Sequence, residues 1–412
     1  NSIWIATRGQ GTDQNGDGEI SADERSLSWK RSEASLPGNR AYGASAVHGL
    51  GLIAIGGTDG EIALNDAVLI RWDEDEQQVN TLRLPPMPGE SVKGGAVVIG
   101  STVYVVAGND DYGYTGQVYA FDLSQIEIDS LGNPISHLGL VKLKLQKDVN
   151  GNQPVPWQRL PALPLTDGEF LAGTEPLVVA QHNGSGKHLY VIRQFSARGL
   201  EDSANKSDNK SPRLQKPLPV YTSVWEYDVR APASEGIWIR NKNATINGLD
   251  LNISGGAITA LGQSHILILS SSENSNKQKA LSYNSITDAW TSYREESPTR
   301  HMYKTKTIKW DDEIIAVEVD ECQGCSFPGI WRVQLKGPKF SFGWENTTIL
   351  IVYLLSVVLV GIYFVFKNKN TDDYFRGGKR IPWWAAACSI YATMMSSLSF
   401  IGLPALVYRT DW

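Results

Sequence analysis

Up to about residue 340 the chain alternates short apolar runs with turns rich in Gly, Pro, Asn and Asp. Runs such as LGLIAIGG (Leu50–Gly57), STVYVVAG (Ser101–Gly108), HLYVIRQF (His188–Phe195) and HILILSS (His265–Ser271) have the length and β-branched content of strands between tight turns. From Thr347 the pattern changes. Thr347–Phe366 (TTILIVYLLSVVLVGIYFVF) is a run of twenty residues without a charge. As an α-helix it would cross the roughly 30 Å hydrocarbon core of a bilayer. Trp344 at one end and Lys367 and Lys369 at the other suit the two interfaces.

The strand-rich part repeats one unit: a small or Gly-containing start, two apolar strands, a loop, an aromatic strand, and a closing "W…LP". The clearest unit is Arg40–Asp73, with Gly56-Gly57 after its second strand. The next begins at Gly94 and ends WQRLPALP (Trp157–Pro164). A third runs through SVWEYDV (Ser223–Val229) to Trp238, and a fourth from Gly255 to Trp290. The fifth holds KTKTIKWDDEIIAVEVD (Lys304–Asp320) and GIWRVQL (Gly329–Leu335). Kelch-like repeats of about 50 residues with four strands each predict an all-β propeller over 27–340, with five visible repeats and room for a sixth blade. The fifth unit lacks a "W…LP" strand, and Ser26–Pro37 (SLSWKRSEASLP) offers a spare one, so the N-terminal strand is expected to close the ring. Ile126–Val155 and Ser196–Pro217 read as insertions.

The linker Lys367–Arg380 carries five Lys/Arg, which keeps it cytoplasmic and places the propeller outside, in the periplasm or beyond, on a protein of the cytoplasmic (inner) membrane. A second apolar segment follows, so the chain divides into an N-terminal segment 1–26, the propeller 27–340, a transmembrane helix 345–367, a cytoplasmic linker 368–381 and a second transmembrane segment 382–408. Starting at Asn1 and ending at Trp412, it reads as part of something longer. A net charge of −6 and a pI near 5.6 leave no basic patch for nucleic acid. Small solutes and membrane lipid are the expected partners. Cys322 and Cys325 form a lone CxxC without the second ligand pair of a structural zinc site.

RAYGAS (Arg40–Ser45), followed by LIAIGG and NDAVLI, resembles the closing blade of the bacterial N-acetylneuraminate epimerases, sialate mutarotases that are kelch propellers. Its position first in the chain matches the cyclically permuted branch of that family, over about residues 27–336. The resemblance implies acid/base ring-opening of sialic acid. The family's proposed Glu and following Arg fall opposite VIRQFSARG (Val191–Gly199). Gln194 stands in the Glu position, Arg198 near the Arg, and Glu201 is the nearest carboxylate, so Arg198 and Glu201 are weak catalytic candidates. Arg40, Arg193, Arg198, Arg300 and His301 are candidates for a sugar carboxylate. A tethered mutarotase and a propeller that only binds its ligand both remain open.

DDYFRGGKRIPWWAAACSIYATMMSSLSFIGLPA (Asp372–Ala405) resembles the start of the sodium/solute symporters, where such a linker precedes the first helix of the inverted-repeat core. The resemblance implies a discontinuous helix that binds cation and substrate near the midplane. Ala392 and Met395 would offer backbone carbonyls to Na+, and Ser396 and Ser399 would face a sugar or sialic acid, with Met394 nearby.

Asp13–Glu24 (DQNGDGEISADE) fits an EF-hand calcium loop. Asp13, Asn15 and Asp17 take the first ligand positions, Gly18 the turn, Glu19 a carbonyl, Ser21 a water-mediated position and Glu24 the bidentate carboxylate. Outside the cell, where calcium is millimolar, such a loop braces structure instead of sensing. Replacing the Asp13, Asp17 and Glu24 carboxylates by amides should therefore abolish the rise in thermal midpoint that calcium gives the unaltered chain. Saturation a hundredfold above Kd is worth about 2.7 kcal/mol. An unaltered chain whose midpoint is the same with calcium and with chelator would remove the bracing role.

Overall fold

The computed structural model describes residues 2–9, 27–110, 113–144, 156–164, 169–171, 175–197, 220–231, 236–241, 252–272, 275–293, 305–310, 313–318, 329–333, 343–367 and 382–394. It divides into two compact units, 1–332 and 333–412.

The first unit is a series of mainly antiparallel sheets arranged as blades. Ser2–Arg8 (β1) pairs with Leu27–Ser35 (β2). The first blade is Ala44–His48 (β3), Gly51–Thr58 (β4), Ala63–Asp73 (β5) and Gln78–Leu84 (β6). The second is Gly95–Ile99 (β7), Thr102–Val106 (β8), Val118–Asp122 (β11) and Trp157–Leu160 (β14). Between β8 and β11 lies a short ladder of Asn109–Asp110 (β9) and Gly113–Tyr114 (β10). Ser136–His137 (β12) and Leu140–Val141 (β13) belong to the second blade's insertion but extend the first blade's sheet beyond β6. Part of an otherwise open strand edge is thereby covered.

Glu169–Leu171 (β15), Leu177–His182 (β16), Lys187–Ala197 (β17), Val220–Tyr227 (β18) and Trp238–Arg240 (β19) make the third blade. Asn252–Leu261 (β20), His265–Ser272 (β21), Ser275–Asn284 (β22) and Ala289–Ser292 (β23) make the fourth. The fifth has three strands, Thr305–Trp310 (β24), Glu313–Glu318 (β25) and Gly329–Val333 (β26). The first strands β3, β7, β16, β20 and β24 neighbour one another in that order.

One expectation is corrected. Among the described residues, the strand within Ser26–Pro37 is not paired with the fifth blade. As β2 it is laddered to β1, from Ser2↔Ser35 to Arg8↔Leu27, and among the described residues β26 pairs only with β25. A nearer partner in sequence takes one edge of the strand, and ring closure by this route is not observed among the described residues.

Apolar cores lie between successive sheets. Ile53, Ile55 and Leu69 of the first blade meet Val103, Val105 and Phe121 of the second. Val106 and Val118 of the second meet Leu189 and Val191 of the third, and Tyr190 and Ile192 of the third meet Ile266 and Ile268 of the fourth. Burying one such Leu or Ile contributes about 1.5–3 kcal/mol.

The repeated Trp has a defined part in this packing. In three blades it stands directly across from an aromatic residue of the third strand: Phe121↔Trp157, Tyr227↔Trp238 and Tyr283↔Trp290, with ring centroids 5.1, 5.1 and 5.0 Å apart. Its indole N–H then reaches back one blade. Trp157 Nε1 donates to the Pro85 carbonyl (2.7 Å), and Trp238 Nε1 to the Pro161 carbonyl (2.9 Å). Both prolines belong to the "LP" that ends the preceding blade. The third blade runs Trp238-Ile-Arg-Asn with no "LP", and the buried Nε1 of Trp290 has no hydrogen-bond acceptor among the described residues.

In the second unit, Trp344–Lys367 (α1, 24 residues) is long and apolar enough to cross a membrane by length and composition. Trp383–Met394 (α2) is a twelve-residue helix.

Trp157→Phe and Trp238→Phe keep the ring contact but lose the interblade donor, so each should cost about 1 kcal/mol in denaturant unfolding. Trp290→Phe, removing a donor without an acceptor, should be neutral or slightly stabilising. Equal losses at all three positions would refute this interblade role.

Candidate functional site

The blades meet a common rim where second strands end and the next blade begins. In the first blade this turn requires glycine. Gly56 and Gly57 have φ of +60° and +103°, and a Cβ at either would lie 2.4 Å from the Ser91 carbonyl or 2.5 Å from that of Ala41. That close approach lets Gly57 N–H donate to Ser91 O (2.7 Å), joining the first blade to the loop that starts the second. Strand register aligns Ile55, Val106 and Ile192, each paired to the start of its blade's first strand. The Gly56-Gly57 positions are therefore filled by Ala107-Gly108 in the second blade and by Arg193-Gln194 in the third.

Arg193 is 1% exposed and Gln194 is 3% exposed. Arg193 Nη2 donates to Pro164 O (2.5 Å), its guanidinium stands 5.4 Å from the Trp225 ring centroid, and it lies beside the Tyr114 phenol of the neighbouring blade. Burial pushes that phenol's pKa up, and the adjacent guanidinium partly counteracts the rise. Tyr114 is therefore a neutral hydroxyl at physiological pH.

Two non-glycine residues on the rim have left-handed backbones, Tyr42 (φ 56°) and Lys93 (φ 57°). They occupy equivalent positions, Ala41-Tyr42-Gly43 and Val92-Lys93-Gly94, each after a residue bridged to its own blade (Ala41↔Thr58, Val92↔Asn109). Lys93 N–H donates to Tyr42 O (2.8 Å), and Lys93 Nζ lies 5.4 Å from the Tyr42 ring centroid. Tyr42 is 43% exposed. Such conformations cost energy in non-glycine residues and concentrate at functional sites.

Beside Tyr114 opens a cavity of about 440 Å³, lined among others by Glu90, Asp110, Gln117, Tyr119 and Arg159. Arg159 Nε donates to Gln117 Oε1 (2.7 Å). The Tyr119 phenol is likewise pushed up by burial. Two phenols, two carboxylates and a guanidinium line this cavity.

The predicted site residues are placed unevenly. Arg40 is buried within the first blade, donating through Nη1 to Gly56 O (2.9 Å) and pairing through Nη2 with Asp66. Arg193 is held by the contacts above. Ala392 lies on α2, exposed within its unit, and Met394 ends that helix. Arg198, Glu201, Arg300, His301, Met395, Ser396, Ser399, Cys322, Cys325 and the segment Asp13–Glu24, expected to bind calcium, lie outside the described residues. Tyr42, Lys93, Glu90, Asp110 and Tyr114 escaped the sequence reading. Aligning RAYG with SVKG would have paired Tyr42 with Lys93, and NDDYGY (Asn109–Tyr114) joins acidic and aromatic residues in one short loop.

A second polar cluster sits at the opposite end of the third blade. His188 Nδ1 is 2.8 Å from Glu226 Oε1, and Ser185 Oγ is 3.4 Å from His188 Nε2, a spacing reminiscent of a proton relay. The roles are already taken. Ser185 Oγ donates to Asn183 Oδ1 (2.8 Å), and Arg230 Nη2 lies 3.2 Å from both Ser185 Oγ and His188 Nε2. The serine proton and the free imidazole nitrogen are both engaged, so the cluster fastens two turns and activates no nucleophile. Burial alone would raise the Glu226 carboxyl, but hydrogen bonds from His188 and Asn183 bring it below its ordinary value. The Arg230 hydrogen bond holds Asp228 down to about 2.

Comparison with known proteins places similarity in short stretches. No family model matches the chain. It is 49% identical over 71 residues to the sodium/sialic acid symporter SiaT of Proteus mirabilis and 47% identical over 72 residues to the sodium/sialic acid symporter NanT of Aliivibrio fischeri. These matches cover 17% and 18% of this chain and 14% of each relative. A sodium/glucose cotransporter of Vibrio parahaemolyticus is 34% identical over 59 residues, 13% of this chain and 11% of the relative. Among solved structures, YjhT aligns with a TM-score of 0.47 at 13% identity, over 76% of this chain and 87% of that one.

A carboxylate whose pKa is depressed on folding stabilises the fold above its unfolded pKa, and that contribution fades as pH falls towards the folded value. Acid unfolding between about pH 4 and pH 2 should therefore be shallower in Asp228→Asn than in the unaltered chain, as followed by circular dichroism. Superimposable acid limbs would count against the Asp228–Arg230 contribution.

Proposed function

We propose that this chain is the N-terminal part of a sodium-coupled symporter of the sugar or sialic acid class, carrying an extracytoplasmic propeller that binds the same solute. What carries the reading is the 49% identity over 71 residues to a sodium/sialic acid symporter in a chain that also builds kelch-like blades with a polar rim. The propeller gathers solute outside the membrane, and the helical part begins the transport core. There Ala392 and Met395 offer carbonyls to Na+, while Ser396, Ser399 and Met394 face the solute. The calcium loop Asp13–Glu24 braces the N-terminal segment.

At the rim we read binding without rapid anomer exchange. The position expected to hold a glutamate is Gln194, an amide that exchanges no proton at neutral pH and is buried in β17. Lys93 supplies a cation, and Tyr42 an aromatic face, for a sugar acid.

The test uses the whole chain in detergent micelles and saturation-transfer NMR with N-acetylneuraminate. Saturation transfer to the sugar, weakened severalfold by Lys93→Met, with α and β anomers interconverting at the buffer rate, is the expected result. Lack of binding to N-acetylneuraminate would overturn the reading. Accelerated exchange would replace the binding role by mutarotation.

A further inference from the structure

Resting on the sialate reading above, we infer that the cavity lined by Glu90, Asp110, Tyr114, Tyr119 and Arg159 is the subsite for the uncharged polyhydroxyl arm of the sugar acid, separate from the group that holds its carboxylate.

The chemistry of the lining argues for this. The lining holds two carboxylates and one guanidinium, and Arg159 donates to Gln117. A sugar carboxylate here would meet like charge, whereas vicinal hydroxyls can each donate to Glu90 or Asp110 and accept from a phenol or from Arg159. Charge-assisted bonds of this kind are stronger than neutral ones, so a short chain of hydroxyls gains most from such a lining.

Backbone geometry has kept the cavity in shape. Tyr119 is 5% exposed, and its hydroxyl approaches Gly89 so closely that a Cβ there would lie 2.4 Å from it. Thus only glycine at position 89 lets the phenol reach this wall. Tyr114 sits on the two-strand ladder β9–β10, whose partner Asn109 is bridged to Val92 next to Lys93. The polyol-binding wall is therefore joined through one short backbone path to the cation proposed for the carboxylate. The cavity volume of about 440 Å³ leaves space for the arm together with bridging water.

The experiment compares N-acetylneuraminate with its analogue shortened at C7, made by periodate oxidation and borohydride reduction of the methyl glycoside and then released as the free sugar, both titrated calorimetrically into the whole chain in detergent. Binding of the shortened sugar about tenfold weaker is expected, the loss of one or two hydrogen bonds to charged groups. Glu90→Gln and Asp110→Asn, each checked for an unchanged thermal midpoint, should bind the two sugars alike to within about twofold. Equal affinities in the unaltered chain would overturn the subsite while leaving sialate binding intact. Discrimination that persists in folded Glu90→Gln and Asp110→Asn chains would place the arm elsewhere. If N-acetylneuraminate fails to bind at all, the reading of the propeller as a sialate binder falls first, and the subsite with it.

Discussion

Two hydrogen bonds that cross between blades give direction to the packing of the first unit. A four-stranded sheet with one apolar face cannot stand alone, and apolar contact by itself is non-directional. Trp157 and Trp238 add direction: each ring lies on an aromatic residue of its own blade while its N–H reaches the proline carbonyl that ends the previous one. Proline suits that place because it can offer its carbonyl without presenting an N–H of its own to the blade edge. The "W…LP" repeat is thus two halves of a contact made between neighbouring units, and losing one half leaves the other unsatisfied. Trp290 shows this, since the blade before it has no "LP".

That constraint also shapes the rim. Interlocked blades bring the end of each second strand against the loop that starts the next blade, and at Gly56 and Gly57 the approach is too close for any side chain. In the third blade the same two positions carry Arg193 and Gln194, so the local solution is different: a long side chain reaches across to the Pro164 carbonyl. A departure from the repeat at a structural position has turned backbone contact into a side-chain bridge between blades.

The strand units and the apolar helix were legible because each depends on local pattern: period-two runs between turn residues, and an uncharged stretch matching bilayer thickness. The partner of Leu27–Ser35 was not legible, because pairing is a competition between distant edges and SLSWKRSEASLP fits either. Arg40 and Arg193 were singled out for their charge, but charge alone does not distinguish an arginine that meets a ligand from one that satisfies carbonyls inside a blade. Tyr42 and Lys93 carry no compositional signal at all. Their backbone strain appears only once the blades are assembled.

The two ends of the blades differ in whether their polar groups surround open space. At the His188 end, imidazole, carboxylates, serine and guanidinium are placed so that each faces another, and every proton that could do chemistry is already shared. At the rim, strain is held in Tyr42 and Lys93, and the cavity beside Tyr114 sets acidic, phenolic and basic groups around open space. Closed networks stabilise a fold, whereas groups held by a rigid frame around open space lose little entropy when a ligand arrives. That asymmetry, and not the count of arginines, is the physical reason to look for the solute at the rim.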